Sequence, residues 1–443
     1  MLLSYGQREL SFYFIGIGGV SMSALAILLK LRGFRVRGSD DAAGESVRRL
    51  REKGIDVAIG REEEISENVV VYNSAIEETH PQLIAAKRAG KRLLTRAEML
   101  GELAEEYPYV LSVSGSHGKT TCCAMISHVF SAAHKPFTCH IGGFDRRFSN
   151  CYASGNEYFI TEACEYRRNF LSLQSDCAVV LNVDFDHSDY YKDERDAFEA
   201  FDAFAHKAKS VIVCEEDENA KKIPHSLSFG YEKGDYYAEN LHSDGERYSF
   251  TVIERGIAVA DVRLSVVGKV NVLNALAAFA VARRFGLSAS EIKKGLQSFT
   301  GVERRFERVG THCNAEIYCD YAHHPKEIAA AIQTAKKICR GELTVVFQPH
   351  TYTRTRDLMQ KFVDVLGQLE RVVIYQTYPA REEFLAEGSA YLLTAHLDNA
   401  CYVQSPEQLK RRLSSGKRGD VVLVLGAGSI YEIIQSIIEK KTT

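Results

Sequence analysis

The segment Leu111–Thr121, LSVSGSHGKTT, restricts this chain more than any other: an apolar strand-like run breaks at a glycine turn and enters a helical pattern. Gly115 and Gly118 let the backbone bend so that N–H groups at Ser116 and His117 face inward, and the helix that follows adds the positive end of its dipole. Lys119 is then placed along the β- and γ-phosphates of a nucleotide and the Thr120 hydroxyl on Mg²⁺, with Thr121 completing the Lys-Thr-Thr that opens the helix. The spacing G-x-x-G-K-T is tighter than the general G-x-x-x-x-G-K-[ST]. The reading of a phosphate loop therefore rests on strand, turn, lysine and helix standing in register.

At 443 residues the chain is long enough for two or three domains, and 45% hydrophobic with 26% charged residues is ordinary for a globular protein. Lys and Arg number 55 against 58 Asp and Glu, a net charge of −3, so no global basic field draws it to nucleic acid or to a membrane surface. Any anion must be held by local groups. The 11 cysteines are scattered without C-x-x-C pairs, which fits buried thiols in a reducing compartment rather than disulfides or a zinc site. With no leader-like N-terminus and no apolar run of membrane-spanning length, a cytoplasmic protein is expected.

The first third alternates strand and helix signals. Leu10–Ile15 runs into Gly16-Ile17-Gly18-Gly19-Val20-Ser21 and a helix to Arg32, half of a dinucleotide fingerprint whose third glycine is replaced by Ser21. An acid at the expected remove, in Gly38-Ser39-Asp40-Asp41, can read a ribose; the alternative is a βα turn that needs glycine only for packing. Further strands at Ile55–Ile59, Val69–Asn73 and Arg92–Leu94 describe a parallel sheet covered on both faces. Pro108 punctuates the end of this region.

In the middle third, Glu157–Glu162 and Cys177–Asn182 are strands that end in polar clusters, so the loop's Lys119 and Thr120, Glu162 and His187 reach one edge of one sheet. A carboxylate at a neighbouring strand end can complete the shell of a metal bridging nucleotide phosphates, and Glu162 is the candidate. His187 reads as a cap or a core residue as readily as a ligand. Asp184, Asp186 and Asp189 share that ambiguity, with capping of the next helix expected for at least one. Arg247–Glu254 and Ile257–Val266 alternate with period two and are expected to form a hairpin outside the parallel sheet. Asn271 and Asn274 lie on one helix face, where an amide suits an adenine edge or a helix N-terminus.

Gly301–Arg308 is a charged linker into the last third. There Asp320, His323, His324, His350 and Arg354 cluster where strands end, the side on which α/β sheets bind ligands. The final Gly426-Ala427-Gly428 precedes Tyr431, too large for a dinucleotide fingerprint, and reads as a helix start that can accept an anion.

These motifs together, with Glu162-Ala163-Cys164-Glu165, Asn182-Val183-Asp184-Phe185-Asp186-His187, Arg304-Arg305-Phe306-Glu307, Asp320–Pro325 and Gln348–Arg354 in collinear order, resemble the Mur ligases. The resemblance implies an α/β protein of three domains: a Rossmann-like N-terminal domain (1–106), a central P-loop-type mononucleotide-binding domain (107–303) and a Rossmann-like C-terminal domain (304–443) that closes over both. It places Gly16, Gly18, Gly19, Ser39, Asp40 and Ser74 against the uridine diphosphate of a sugar nucleotide. Gly115–Thr121 would hold ATP, and Thr120, Glu162 and His187 Mg²⁺. Asn271 and Asn274 match adenine readers, Arg305 and Asp320 residues that meet the nucleotide, and His324, His350 and Arg354 the amino-acid region. The implied activity is ATP-dependent joining of L-alanine to the lactoyl carboxylate of UDP-N-acetylmuramate through an acyl phosphate. Lys119 would act on the phosphoryl group and His324 or His350 would take the amine proton; a monomer or weak homodimer is expected. Three positions depart from the family pattern: Val270 where His is usual, Thr351 where Arg is frequent, and Asn73 where Ser is frequent. The rival readings are a ligase for recycled peptides or a folylpolyglutamate-type relative, an NAD(P) oxidoreductase built on Gly16–Gly19, and a non-catalytic nucleotide-binding scaffold.

Overall fold

The computed structural model describes residues 10–61, 64–73, 76–185, 187, 190–245 and 247–438. Ser74, Asp186 and Asp189 lie outside the described residues. By its internal contacts the chain forms two compact units, one of Met1–Leu241, Ser249–Ser265 and Val270–Thr300, the other of His242–Tyr248, Val266–Lys269 and Gly301–Thr443.

In the first unit, β1 (Ser11–Ile15) leads to α1 (Val20–Leu31), followed by β2 (Arg35–Asp40), α2 (Glu45–Glu52), β3 (Asp56–Ile59), β4 (Val69–Tyr72), α3 (Pro81–Arg88), β5 (Arg92–Thr95) and α4 (Arg96–Ala104). The strands form a parallel sheet in the order β3-β2-β1-β4-β5. Its central strand is buried on both faces, which is why Phe12-Tyr13-Phe14-Ile15 reads as an unbroken apolar run. A capping box starts α4: the Thr95 hydroxyl accepts from Glu98 N (3.2 Å) and the Glu98 carboxylate from Thr95 N (2.7 Å), fixing Arg96 at the first helical position.

The chain continues with β6 (Tyr109–Ser114), α5 (Lys119–Ala132), β7 (Phe137–Asp145), β8 (Ser149–Ala153), β9 (Tyr158–Glu162), β10 (Cys177–Val180), α6 (Glu194–His206), β11 (Val211–Cys214), β12 (Leu227–Gly230), β13 (Tyr236–Ser243), β14 (Arg247–Glu254), β15 (Ile257–Val267), α7 (Val270–Arg284) and α8 (Ala289–Ser298). One sheet runs β15-β14-β13-β12-β11-β10-β6-β9-β7-β8. The hairpin expected outside the parallel sheet is instead hydrogen-bonded into it, because β13 pairs with β12 in parallel and offers its far edge to β14. Although Pro108 separates strands of two sheets, one apolar cluster spans both: Leu100 and Leu103 of α4 pack with Phe159 and Phe170, and Tyr107 stacks on Phe159 at 4.8 Å.

The second unit holds β16 (Glu307–His312), β17 (Ala315–Asp320), α9 (Pro325–Ile338), β18 (Leu343–Phe347), α10 (Tyr352–Asp357), α11 (Met359–Leu366), β19 (Arg371–Tyr375), α12 (Ala390–Ala395), β20 (Ala400–Val403), α13 (Pro406–Arg412), β21 (Val421–Leu425) and α14 (Ile430–Ile437). The sheet order is β16-β17-β21-β18-β19-β20, parallel except for the β16–β17 pair. Successive residues feed two cores: Val345 and Phe347 one face, Val346 the other. Part of the expected linker is β16, paired through a bulge between Arg308 and Gly310 that hides its period from a sequence reading.

Close helix contact in the first unit depends on Gly295. A methyl there would stand 2.4 Å from Val129 Cα of α5. Gly295→Ala is expected to cost about 1–3 kcal/mol, read as a lower urea midpoint without loss of helical circular dichroism.

Candidate active site

The β6–α5 turn is built on two glycines in conformations that side chains resist: Gly115 has φ 141° and Gly118 φ 88°. A methyl on Gly118 would stand 2.9 Å from Asn274 Oδ1, so the α7 amide occupies the space a side chain would need. Asn274 is buried and donates to Asn271 Oδ1 at 3.1 Å, bringing the two predicted adenine readers together beside the loop. Lys119 opens α5. Its ammonium donates to the carbonyls of Gly115 and Ser116 and meets both Glu165 oxygens, at 3.0 and 2.8 Å.

Burial alone would push the Lys119 ammonium down, but the charges of Glu165 and Glu162 overcome it and hold the group above the ordinary lysine value. Glu165 is its mirror: burial would raise it, yet Lys119 and His187 keep its carboxyl below the usual range. The sequence reading gave Glu165 no role. The signal was present, as the second acid just beyond the strand that ends at Glu162.

The loop also differs from expectation in what its amides do. Ser116 N donates to Asn182 O (3.2 Å) and His117 N to Asn182 Oδ1 (2.8 Å), so these two groups clamp the loop to the end of β10 rather than facing a phosphate nest. Asp184 extends the clamp, its N–H donating to Ser116 Oγ (2.9 Å) and its carboxylate lying 3.2 Å from His117 Nε2. Capping of α6 falls to Asp193 instead. The first turn of α5 offers an anion the positive end of the helix dipole. Thr120 is buried in that turn and Thr121 is half-buried.

Glu162 ends β9 and His187 lies beyond β10. The Glu162 carboxylate accepts from Gly142 N at 2.5 Å, and a methyl on Gly142 would stand 2.7–2.8 Å from its oxygens. His187 takes φ 58°, packs its ring 4.7 Å from Tyr166, and brings Nε2 to 3.6 Å from Glu165 Oε1. Lys119 and His187 therefore share one carboxylate, while Glu162 acts on Lys119 through its charge. Among the described residues no three His, Cys, Asp or Glu side chains cluster as a self-sufficient metal site. The Glu162 carboxylate and the Thr120 hydroxyl are oxygen donors of the kind Mg²⁺ takes, with phosphates and water for the rest, whereas the His187 imidazole is an unusual ligand for it.

At the first glycine turn, Gly16 N and Ile17 N donate to Ser39 O, and Gly18 N donates to Asp40 Oδ2 at 2.8 Å. Gly19 caps α1 without a side-chain bond. Ser39, expected to face a diphosphate, is buried with its hydroxyl on Gln82 Oε1 at 3.1 Å. It shares a β2 face with Arg35 and Arg37 and is covered there by Gln82 of α3.

In the second unit, Asp320 ends β17 and accepts from Phe306 N and Ala322 N, both at 2.7 Å. Burial pushes its carboxyl up to about 6 against the lowering pull of Arg305 and these bonds. The Arg304 and Arg305 guanidiniums lie 5.0 and 5.2 Å from the Tyr321 ring. His324 is buried as the cap of α9, its Nδ1 accepting from Lys326 N at 3.4 Å. His350 accepts from Arg354 Nη1 at 3.3 Å, stacks on Tyr378, and is lowered to about 3 by burial and by neighbouring His323, Arg354 and Arg304. It is neutral at physiological pH and a weaker base than a free imidazole. The closing glycine turn is filled: Ile430 N, expected to be open to an anion, donates to Gln348 Oε1 at 2.9 Å.

Two outcomes follow from these contacts. Gly142→Ala displaces the Glu162 carboxylate and is expected to weaken magnesium-nucleotide affinity about 10–100-fold by calorimetry. His350 lies below the free imidazole value of 6.5, so stability from its neutral form is present above pH 6.5 and lost as pH falls toward 3. Comparing urea unfolding at pH 7 and about 4.5, His350→Gln should recover up to about 2–3 kcal/mol of the stability lost on acidification.

Residues 11–108 match the Mur ligase family, catalytic domain; 113–282 the Mur ligase middle domain; and 304–428 the Mur ligase, glutamate ligase domain. The chain is 36% identical over 447 residues to the UDP-N-acetylmuramate–L-alanine ligase of Caldicellulosiruptor bescii, covering 97% of this chain and 98% of that protein. It is 37% identical to that of Agathobacter rectalis over 453 residues, with 98% and 99% covered. The crystal structure of the UDP-N-acetylmuramate–alanine ligase of Thermotoga maritima superposes with a TM-score of 0.85 at 26% identity, covering 96% of this chain and 98% of the other. A murein peptide ligase of Psychrobacter arcticus, 22% identical, shares the fold with a TM-score of 0.74 over 97% and 98% of the two chains. Three matched segments in order, and relatives similar over nearly the whole length, place the chain in the Mur ligase family.

Proposed function

We propose that this chain joins L-alanine to the lactoyl carboxylate of UDP-N-acetylmuramate at the expense of ATP. The observation that carries the reading is the lysine at the start of α5, set behind a two-glycine turn and held charged by Glu165 and Glu162, with His187 on the same Glu165 carboxylate. The full-length likeness to ligases of that name supplies the substrates.

A carboxylate is a poor electrophile and must be activated. One of its oxygens attacks the γ-phosphorus, the bond to ADP breaks, and an acyl phosphate forms; the neutral amine of L-alanine then attacks the acyl carbon, inorganic phosphate leaves, and the amine proton is lost. Charge on the transferring phosphoryl group sets the barrier, and Lys119 with the first-turn amides of α5 stabilises it. Mg²⁺ held by Thr120, Glu162 and His187 would add Lewis-acid stabilisation of phosphate oxygens. Asn271 and Asn274 read adenine, and Gly16, Gly18, Gly19 and Asp40 meet the sugar nucleotide. In the second unit His324, His350 and Arg354 form the amino-acid region. Arg354, bonded to a neutral His350, keeps its charge for the amino acid's carboxylate. On this reading residues 1–106, 107–303 and 304–443 receive sugar nucleotide, ATP and amino acid in turn, in a cytoplasmic monomer or weak homodimer. No helix among the described residues is long and apolar enough to cross a membrane.

Phosphate release with UDP-N-acetylmuramate, ATP, Mg²⁺ and a panel of amino acids and peptides tests this. L-alanine-dependent release is expected; release only with a tripeptide would shift the assignment to a recycling ligase. Lys119→Met should lower kcat by about 10²–10³ while UDP binding persists.

A further inference from the structure

Ser21, which replaces the last glycine of the dinucleotide fingerprint, stands in a directed hydrogen-bond chain. Arg96 Nη1 donates to Ser21 Oγ (3.2 Å), and Ser21 Oγ lies 2.9 Å from His140 Nε2. His140 Nδ1 is 3.0 Å from Thr161 Oγ1, which donates to the Glu162 carbonyl at 3.2 Å. An arginine can only donate, and Thr161 gives its proton to a carbonyl, so Nδ1 carries the ring proton and Nε2 accepts from Ser21. Burial lowers His140 to about 3, which leaves the imidazole in the neutral state the chain needs.

The head of this chain is unusual. Arg96 is only 9% exposed, yet no carboxylate faces its guanidinium among the described residues. A buried cation without a counter-charge is costly and is retained where a ligand supplies one. The Thr95–Glu98 capping box fixes its backbone at the start of α4. Its side chain reaches Ser21 in the first turn of α1, whose amides favour an anion, and through Ser21 the chain of bonds leads on to Thr161, beside Glu162. The cation thus stands between the first glycine turn and the segment that carries Glu162 and Glu165.

We propose that Arg96 binds an anionic oxygen of the acid substrate, from its diphosphate or its lactoyl carboxylate, and that Ser21, His140 and Thr161 hold this guanidinium in register with Glu162. This rests on the sugar-nucleotide reading above. It explains why a serine, and not the glycine of the fingerprint, follows Val20: glycine would cut the chain at its first link.

The test uses the full-length enzyme with Arg96→Met, Arg96→Lys and Ser21→Gly. Arg96→Met should raise KM for UDP-N-acetylmuramate at least 10-fold with KM for ATP unchanged, Arg96→Lys should recover part of that loss, and Ser21→Gly should raise the same KM several-fold. Calorimetry with UDP, UDP-N-acetylglucosamine and UDP-N-acetylmuramate separates the two sources. Equal weakening of all three identifies the diphosphate, and weakening of the last alone identifies the lactoyl carboxylate. Unchanged KM and affinity in Arg96→Met, or equal losses for ATP and sugar nucleotide in every variant, would overturn the proposal. Should Arg96→Met not fold, Arg96→Lys and Ser21→Gly carry the same comparison. Failure of the wild type to release phosphate would instead sink the ligase reading, while UDP affinity would still report on Arg96.

Discussion

The buried pair of Lys119 and Glu165 is the contact on which the first unit's site depends. Neither charge could persist at such burial alone, since desolvation acts against both. Together each holds the other ionised, and His187 leans on the same carboxylate. Glu165 is tied down in turn by its backbone, whose carbonyl accepts from the Tyr191 hydroxyl at 2.5 Å. Lys119 and His187 thus meet at one carboxylate, which ties the start of α5 to the segment beyond β10.

Around this pair the precision comes from places where a side chain is excluded. Gly118 makes room for the Asn274 amide and Gly142 for the Glu162 carboxylate, so two segments far away in sequence are held against the strand ends by contacts that even alanine would break. Asn182 spends its amide and carbonyl on the loop itself, giving the turn a rigid shape at the cost of two donors that could have met a ligand. Because α4, β9 and the segment after it share one apolar cluster, the chain from Arg96 to Glu162 runs through close-packed surroundings in which a small displacement at one end is felt at the other.

Much of this fold was legible in the residues. Central parallel strands such as Phe12–Ile15 and Val421–Leu425 are buried on both faces and so are apolar without interruption, and the glycine turns after them mark where each crossover begins. The missed elements lack that signature. β7 carries a buried histidine and two glycines, and β16 contains a bulge, so neither shows a clean period. The β14–β15 hairpin has the right period, but nothing local says that β13 will receive it at the sheet edge.

For the site the division is similar. The residue types at strand ends, Lys119, Glu162, His187, Asp320 and His350, follow from the sequence because α/β sheets gather polar groups where strands stop and helices start. Which of them meet is another matter. That Glu165 pairs with Lys119, that Ser39 is buried on Gln82, that His350 is kept neutral and that Arg96 is buried depend on burial and on contacts between segments tens of residues apart. Sequence specifies which groups reach the edge of each sheet; only packing, by removing water from some of them and placing others within hydrogen-bond reach, sets their charge and their partners.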